Sequence, residues 1–300
     1  MLSNVCNSFN EQLSIHFANN IRVFMKREDL LHPQISGNKF RKLKYNLHEA
    51  QKLGQKTLLT FGGAYSNHIA AVAASGHEFG FHTIGIIRGE ELAAKINDNP
   101  TLALAQQQGM QLEFISRADY RHKAEPEFIQ QLQQQFGQFY LIPEGGTNAL
   151  AVQGCTEILT IDDKQQFDYV CCAVGTGGTI TGIIESSTVQ QTILGFPALK
   201  GDFLQTEIEK WTSKTNWKLI ENYHFGGYAK ATPELLQFVQ EFKVQTGIDI
   251  EPIYTGKMLF GLFDLIEKGY FTANSQILAI HTGGLQGNLS QTFNFPNIKK

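Results

Sequence analysis

Short apolar strands that end in glycine turns constrain the fold of this 300-residue sequence more than any other feature. Each turn is followed by a stretch with helical periodicity, so strands and helices alternate along the chain. This alternation predicts an α/β fold with parallel sheets. The strands are residues 57–61, 139–142, 167–174 and 276–280, followed by Gly62-Gly63, Gly145-Gly146, Gly175-Thr176-Gly177-Gly178-Thr179 and His281-Thr282-Gly283-Gly284. Because such strand ends bind ligands and helix N-termini bind anions, we expect a phosphorylated ligand there.

The composition is that of a folded protein, with 42% hydrophobic and 18% charged residues. The net charge of -3 provides no basic field, so we expect neither nucleic acid nor a membrane surface as a partner. No apolar run reaches the ~18 residues of a membrane span, and the N-terminus lacks the basic and apolar regions of a secretory signal. We therefore expect a cytoplasmic protein.

The four cysteines and nine histidines show no spacing typical of a metal site. Cys6, Cys155, Cys171 and Cys172 include no C-x-x-C pair, and the histidines include no H-E-x-x-H motif. The adjacent pair of cysteines lies in an apolar run, which predicts buried thiols in a reducing compartment. We expect no bound metal.

A lysine occupies an unusual position near the start of a predicted helix. Gly37 permits a tight turn, Asn38 is a good N-cap, and Phe40 and Leu43 have helical spacing. Lys39 is therefore predicted in the first turn, where the helix dipole disfavours its positive charge. An amine that loses its proton easily can attack an aldehyde and form a Schiff base. The alternative, favoured by this segment alone, is one solvated basic face made of Lys39, Arg41, Lys42 and Lys44.

The glycine-rich run Gly175-Thr176-Gly177-Gly178-Thr179 follows the most apolar strand and precedes a short helix. Its backbone amides and two hydroxyls suit a phosphate group. The run does not fit G-x-G-x-x-G, because Ile180 occupies the place of the third glycine, and the chain has no P-loop motif. These features predict a small phosphate-bearing cofactor, and the alternative is an ordinary glycine turn.

A second glycine turn leads into Tyr65-Ser66-Asn67-His68. Ser66 is placed to cap the helix that follows, and the amides beside it suit a carboxylate. The alternative is an ordinary N-cap without a ligand, which this segment alone favours.

Six motifs in one order carry a resemblance to a known family. They are Gly37-Asn38-Lys39-Phe40-Arg41-Lys42-Leu43, Gly62-Gly63 with Ser66-Asn67-His68, Gly175-Thr176-Gly177-Gly178-Thr179, Gly227-Tyr228, Tyr254-Thr255-Gly256-Lys257 and His281-Thr282-Gly283-Gly284. From about Val23 to Gly284 the chain resembles the 1-aminocyclopropane-1-carboxylate deaminase and D-cysteine desulfhydrase family. These are fold type II pyridoxal 5'-phosphate enzymes related to the tryptophan synthase β subunit. The resemblance implies this cofactor and a small amino acid as substrate.

The resemblance also implies which residues hold the cofactor. Lys39 matches the lysine that bonds to the cofactor aldehyde and later moves protons at the substrate's α-carbon. The run Gly175-Thr176-Gly177-Gly178-Thr179 matches the phosphate cup. Asn67 matches the residue that hydrogen-bonds the pyridoxal 3'-oxygen, and Thr255 matches the position beside the pyridine nitrogen.

Further matches concern the substrate. Ser66 matches the serine that helps hold the substrate carboxylate and can relay a proton, and Asn67, His68 and Tyr65 are expected to contact substrate at that site. Tyr228 and Tyr254 match two tyrosines that face the substrate's side chain. The implied reaction removes the α-proton, expels a β-substituent or opens a ring, and ends in a 2-oxo acid and ammonia.

The sequence departs from the family pattern at three places. Cyclopropane-opening members look to carry glutamate at the position of Thr255, whereas desulfhydrase-like members carry threonine. Because a hydroxyl promotes protonation of the ring nitrogen less than a carboxylate does, we favour β-elimination, as from D-cysteine, over ring opening. Tyr65 stands where glutamine is expected, and Leu285-Gln286-Gly287-Asn288 replaces a run of small residues.

On the same grounds we expect two α/β domains with the cofactor between them, and a homodimer. Residues 1–46 and 144–300 would form the larger domain and residues 47–143 the smaller, inserted one. The alternatives are a 1-aminocyclopropane-1-carboxylate deaminase proper, another fold type II dehydratase, or a non-catalytic pyridoxal phosphate binder. The last is disfavoured because residues needed only for catalysis are present, and the glycine spacing disfavours a Rossmann oxidoreductase.

Overall fold

The computed structural model describes residues 8–285 and 288, which form two sheets flanked by helices. The strands are β1 (Asn10–Gln12), β2 (Arg22–Lys26), β3 (Thr57–Gly62), β4 (His82–Arg88), β5 (Gln111–Ile115), β6 (Tyr140–Ile142), β7 (Tyr169–Val174), β8 (Thr192–Pro197), β9 (Trp217–Leu219) and β10 (Gln276–Ile280). The α-helices are α1 (Asn38–Lys52), α2 (Asn67–Phe79), α3 (Pro100–Gln107), α4 (Pro126–Phe136), α5 (Ala149–Cys155), α6 (Ile161–Gln166), α7 (Gly178–Ser186), α8 (Phe203–Glu209), α9 (Pro233–Thr246) and α10 (Thr255–Glu267).

The larger sheet has the strand order β1-β2-β10-β7-β8-β9, and the smaller sheet has the order β5-β4-β3-β6. Neighbouring strands are parallel except β1, which is antiparallel to β2. The predicted α/β fold with parallel sheets is therefore confirmed. The pattern does not predict β1, because its sequence Asn-Glu-Gln contains no apolar residue. The strands of the smaller sheet all fall within residues 57–142, and those of the larger sheet lie outside this range.

The larger sheet is buried on both faces, as parallel sheets usually are. Cys171 packs into the apolar cluster on one face, and its neighbour Cys172 packs into the cluster on the other. Cys155, Cys171 and Cys172 are free and buried, which confirms the predicted burial of these three thiols. Cys6 lies outside the described residues, as do Gln286 and Gly287 of the departure at the C-terminal end.

Helix α1 begins at Asn38, one residue earlier than its predicted cap implies. Gly37 rather than Asn38 is the N-cap, with φ of 60°. A Cβ at Gly37 would lie 2.0 Å from the Thr282 carbonyl oxygen, so only glycine fits this close approach. The Asn38 amide side chain is free to donate a hydrogen bond to Thr179 Oγ1 at 2.8 Å, and this bond ties the start of α1 to the start of α7.

Helix α10 begins at Thr255, although glycine in its first turn, at position 256, is a poor helix former. This position must be glycine, because a Cβ on Gly256 would lie 2.7 Å from the Glu251 carbonyl oxygen. Packing against a residue earlier in the chain thus decides the helix start, which propensity alone disfavours. The pattern also does not predict the short helices α6 and α8.

No helix in the described residues is long and apolar enough to cross a membrane. The same residues contain no group of three or more His, Cys, Asp or Glu side chains that could hold a metal ion.

Candidate active site

The predicted site residues meet in a cavity of about 320 Å³ at the carboxyl ends of strands from both sheets. The predicted residues in its lining are Lys39, Ser66, Asn67, His68, Gly175, Thr176, Gly177, Thr179, Tyr228 and Tyr254. Gly178 and Thr255 begin helices directly behind this lining. Tyr65 instead packs against the apolar cluster of the smaller sheet, so its contact with substrate stays a prediction.

Lys39 lies at the cavity wall in the first turn of α1, as the sequence predicts. Burial and, second, the Lys42 ammonium lower the pKa of Lys39 to about 7. Its amine is therefore substantially neutral at physiological pH and can act as a nucleophile or base. The alternative of one solvated basic face is wrong, because Lys42 is 2% exposed and Arg41 pairs with buried Glu28 at 2.8 Å.

Lys42 places a buried positive charge directly behind the glycine-rich run. Its amine donates to the Gly145 carbonyl at 2.9 Å, to Thr147 Oγ1 at 3.1 Å and to Thr176 Oγ1 at 3.4 Å. Lys42 is not among the site residues predicted from the sequence. The signal that could have found it is its spacing of three residues from Lys39, which puts both amines on one face of the helix.

The glycine-rich run has the geometry of an anion site. Helix α7 begins at Gly178, and Gly177 before it has φ of 86°. A Cβ at Gly178 would lie 2.8 Å from Thr147 Oγ1 and 3.3 Å from Lys42 Nζ, so glycine keeps this cradle open. The first amides of a helix and a nearby ammonium together favour a phosphate group.

Ser66 caps α2, which confirms the predicted helix start. Its Oγ accepts hydrogen bonds from the backbone amides of His68 at 3.2 Å and Ile69 at 3.3 Å. The Ser66 hydroxyl proton remains available to a ligand in the cavity. The side chain of Asn67, the next residue, packs against Gly284. A Cβ on Gly284 would lie 2.2 Å from Asn67 Nδ2, so only glycine leaves room for this side chain.

His68 is buried in the cavity wall, and burial lowers its pKa well below the usual value. Its Nε2 lies 2.8 Å from Thr60 Oγ1, and the Thr60 hydroxyl donates to the Ile142 carbonyl at 2.8 Å. Because the Thr60 proton is used in this way, His68 must donate from Nε2, which leaves Nδ1 unprotonated. His68 is therefore a neutral wall residue with an acceptor nitrogen.

Tyr228 and Tyr254 face the same cavity, with ring centroids 6.2 Å apart. Burial raises the pKa of both hydroxyls, so both stay protonated at neutral pH. A protonated phenol can donate a hydrogen bond or a proton to a reacting group. The structure thus places a largely neutral amine, that of Lys39, and two protonated phenols in one enclosure.

The loop 224–229 carries Tyr228 and has four residues at positive φ. For the two that are not glycine, Phe225 and Ala229, this backbone is costly and persists only where other contacts hold it. Lys257 of α10 is 1% exposed, and its amine donates to the carbonyls of His224 at 2.9 Å and Gly227 at 2.8 Å. Lys257 therefore fixes the loop that positions Tyr228, a role that sequence spacing does not reveal.

Glu251 holds the start of α10 in place. Its buried carboxylate accepts hydrogen bonds from the backbone amides of Ile253 at 2.6 Å, Tyr254 at 3.0 Å and Thr255 at 2.7 Å. Thr255 Oγ1 is buried and has no hydrogen-bond partner among the described residues. Because an unpaired buried hydroxyl costs about 1–3 kcal/mol, it fits a role beside a cofactor ring nitrogen.

Comparisons with known proteins agree with this geometry. A family model described as pyridoxal-phosphate dependent enzyme matches residues 11–283. A Thermotoga maritima protein provisionally named 1-aminocyclopropane-1-carboxylate deaminase is 30% identical, with 95% of each chain covered. The bifunctional D-cysteine desulfhydrase/1-aminocyclopropane-1-carboxylate deaminase of Arabidopsis thaliana is 30% identical over 90% of this chain and 74% of its own length.

The fold agrees as well. The crystal structure of a homologue of 1-aminocyclopropane-1-carboxylate deaminase superimposes with a TM-score of 0.81, at 26% identity, over 94% of this chain and 91% of that one. The lysine at the cavity wall, the anion cradle and the unpaired Thr255 hydroxyl are a donor set that fits pyridoxal phosphate. The chain belongs to the family of pyridoxal-phosphate dependent enzymes.

Proposed function

We propose that this enzyme catalyses β-elimination on a small amino acid such as D-cysteine and releases a 2-oxo acid and ammonia. The observation that carries the proposal is that Lys39, with a pKa of about 7, and the protonated Tyr228 and Tyr254 line the same cavity. Elimination needs a base for the α-proton and an acid for the departing group. The name of the Arabidopsis relative, which includes D-cysteine desulfhydrase, supports the same reaction.

Residues from both sheets would hold the cofactor. Lys39 would bond to its aldehyde, Lys42 and residues 175–179 would hold its phosphate, and Asn67 and Thr255 would bind its ring. Bound pyridoxal phosphate supplies an electron sink for the α-carbon, which makes the α-proton easier to remove. The volume of about 320 Å³ is near the lower end of the range of ~300–1,000 Å³ for small-molecule sites, which supports a small substrate.

The chain's own residues supply the remaining chemistry. Ser66 and the amides at the start of α2 orient the substrate carboxylate. The neutral Lys39 amine accepts the α-proton. A hydroxyl of Tyr228 or Tyr254 donates a proton to the β-substituent, which leaves with the electron pair of the broken bond. Water then hydrolyses the released 2-aminoacrylate to a 2-oxo acid and ammonia.

A second candidate is opening of the ring of 1-aminocyclopropane-1-carboxylate, which the names of the relatives favour. The hydroxyl of Thr255 in place of a carboxylate supports elimination instead, since it protonates a ring nitrogen less readily. A non-catalytic cofactor binder would need no acid–base set in the cavity.

A product screen tests the proposal. Ammonia, sulfide and 2-oxo acid would be measured with D-cysteine, β-chloro-D-alanine, the cyclopropane amino acid and L-serine, using the wild type, Lys39→Ala and the control Lys44→Ala. We expect elimination products from the wild type and from Lys44→Ala, and none from Lys39→Ala. Release of 2-oxobutanoate from the cyclopropane substrate alone would favour the second candidate, and no product from any substrate would favour a binder.

We also propose the division into a larger domain, residues 1–46 and 144–300, and a smaller one, residues 47–143. The separate ranges of the two sheets support this division. A homodimer in the cytoplasm is expected from the family resemblance and the sequence alone. Light scattering on the purified protein tests the assembly, and a monomeric mass would contradict it.

A further inference from the structure

Arg88, the last residue of β4, lines the cavity without a protein partner. The other half-buried arginines of the described chain, Arg27 and Arg41, both pair with carboxylates. The Arg88 guanidinium makes no hydrogen bond and no ion pair with any described residue, and it lies 5.6 Å from the centre of the Tyr120 ring. A partly desolvated cation without a counterion is costly, so its presence in a ligand cavity points to a bound anion.

The other charges around the cavity are already compensated or assigned. Glu144 also lines the cavity, but its carboxylate pairs with Lys123 at 3.4 Å. Lys42 faces the phosphate cradle, and burial lowers the pKa of Lys39 to about 7. Once a phosphorylated cofactor is bound, Arg88 is the charge in the described cavity wall that still lacks a counterion.

The position of Arg88 indicates which part of the substrate it meets. The α-carboxylate is assigned to Ser66 and the amides that follow it, which are uncharged donors. Arg88 ends β4, the strand beside β3, and its Nη2 lies 3.7 Å from the position a Cβ would take on Gly63, in the turn before Ser66. Because the uncharged donors of that turn already serve the α-carboxylate, the Arg88 charge is left for a second anionic group of the same substrate.

We infer that the substrate is an amino acid with a second anionic group, on its side chain, and that Arg88 binds this group. The inference rests on the proposed function and names its substrate class. A β-sulfonate, a β-phosphate ester or the thiolate of cysteine meets this requirement, whereas serine and the cyclopropane amino acid do not. In the elimination the α-proton goes to Lys39, the Cβ–X bond breaks, and X leaves with the electron pair, so no oxidant or reductant is needed.

Calorimetry with aspartate and asparagine tests the inference, because the two side chains have nearly the same shape and differ in charge. Both enantiomers of each, and alanine, would be titrated into the holoenzyme. We expect one enantiomer of aspartate to bind at least about tenfold more tightly than the matching asparagine. Arg88→Gln should abolish this preference and Arg88→Lys should keep part of it. The control Arg117→Gln removes an exposed arginine and should change nothing.

Three results would overturn the inference. The first is equal binding, or no binding, of both amino acids by the wild type. The second is a preference for aspartate that survives in Arg88→Gln. The third is an equal loss of alanine and aspartate binding in Arg88→Gln, which would assign Arg88 to the α-carboxylate. Binding requires no turnover, so a failed product screen would refute the elimination and leave these titrations interpretable.

Discussion

The two walls of the cavity differ in how their polar groups are paired. On the wall that follows the larger sheet, Glu251 and Lys257 each make several hydrogen bonds to the backbone that carries Tyr254 and Tyr228. Thr255 Oγ1, proposed to lie beside the cofactor ring, is the exception on this wall, because it has no partner among the described residues. On the wall that follows the smaller sheet, Arg88 has no partner among the described residues, and His68 Nδ1 has none either. Polar groups that already have hydrogen-bond partners within the protein hold the surrounding backbone in place, whereas polar groups without a partner are available to bind a ligand.

This difference suggests a division of labour. The larger sheet and the start of α1 supply most of the frame for the cofactor and the two acids, and Asn67 after β3 completes the cofactor's part of that frame. The smaller sheet supplies the groups proposed to recognise the substrate. Substitutions behind the first wall should therefore change cofactor binding or turnover, and substitutions on the second wall should change substrate preference.

The largest effect is expected from Lys39→Ala. Because Lys39 would be both the attachment point and the base, we expect kcat to fall by at least about a thousandfold, within the range for a lost general base or nucleophile. Steady-state kinetics and the visible absorbance of the bound cofactor provide the measurement. Activity within tenfold of the wild type would show that another group is the base.

The pH dependence of cofactor loading comes next. Only the neutral amine attacks an aldehyde, and burial lowers the pKa of Lys39 to about 7. The rate of reconstitution of the cofactor-free protein should therefore fall about tenfold per pH unit below 7 and level off above it. Stopped-flow absorbance checks the profile. A midpoint near 10 would mean that Lys39 is not shielded from solvent.

Lys42→Met should weaken cofactor binding by about 10- to 100-fold, the loss expected for a hydrogen-bonded charge. It should also move the midpoint of the reconstitution profile upward, because the Lys42 ammonium lowers the pKa of Lys39. The matched control is Lys44→Met, a partly exposed lysine that pairs with Glu157 at 2.7 Å. Equal effects of the two substitutions would show that Lys42 does not bind the cofactor phosphate.

Lys257→Met should lower kcat by about tenfold, because the loop of Tyr228 loses its ammonium, while cofactor affinity stays unchanged. A role in positioning predicts partial rescue by Lys257→Arg, which can still donate to backbone carbonyls. Kinetics and a cofactor titration on the same samples separate the two effects. A loss of cofactor binding that matches the loss of kcat would indicate general damage to the fold instead.

The smallest effect is expected from substituting two helix N-cap residues. Ser66→Ala and Thr232→Ala each remove an N-cap hydroxyl, from α2 and α9 respectively, and each should lower the free energy of unfolding by about 1 kcal/mol. Only Ser66→Ala should also impair turnover. Denaturant titration and kinetics check both, and equal turnover of the two variants would exclude Ser66 from the reaction.

Short sequence patterns predicted the features that depend on interactions between residues close together in the chain. The start of α1 with Lys39 in its first turn, the cap at Ser66 and the turn after β7 all follow from short segments whose residues interact with their own neighbours. The confirmed parallel sheets follow from the same alternation of strands and helices.

Contacts between distant parts of the chain could not be predicted in this way. Lys42 reaches Gly145 across 103 positions, and Lys257 reaches Gly227 across 30. Nothing in the sequence around Arg88 indicates that its charge would remain unpaired. These roles emerge only when the fold brings the loops after separate strands to one cavity.

Reduction with borohydride followed by peptide mapping tests the central claim most directly, because it converts a lysine–aldehyde bond into a stable tag. The holoenzyme should carry the reduced cofactor on Lys39 alone, with Lys42 unlabelled three positions away on the same helix. A tag on Lys42, on any other lysine or on none would contradict the assignment of Lys39 and the mechanism built on it.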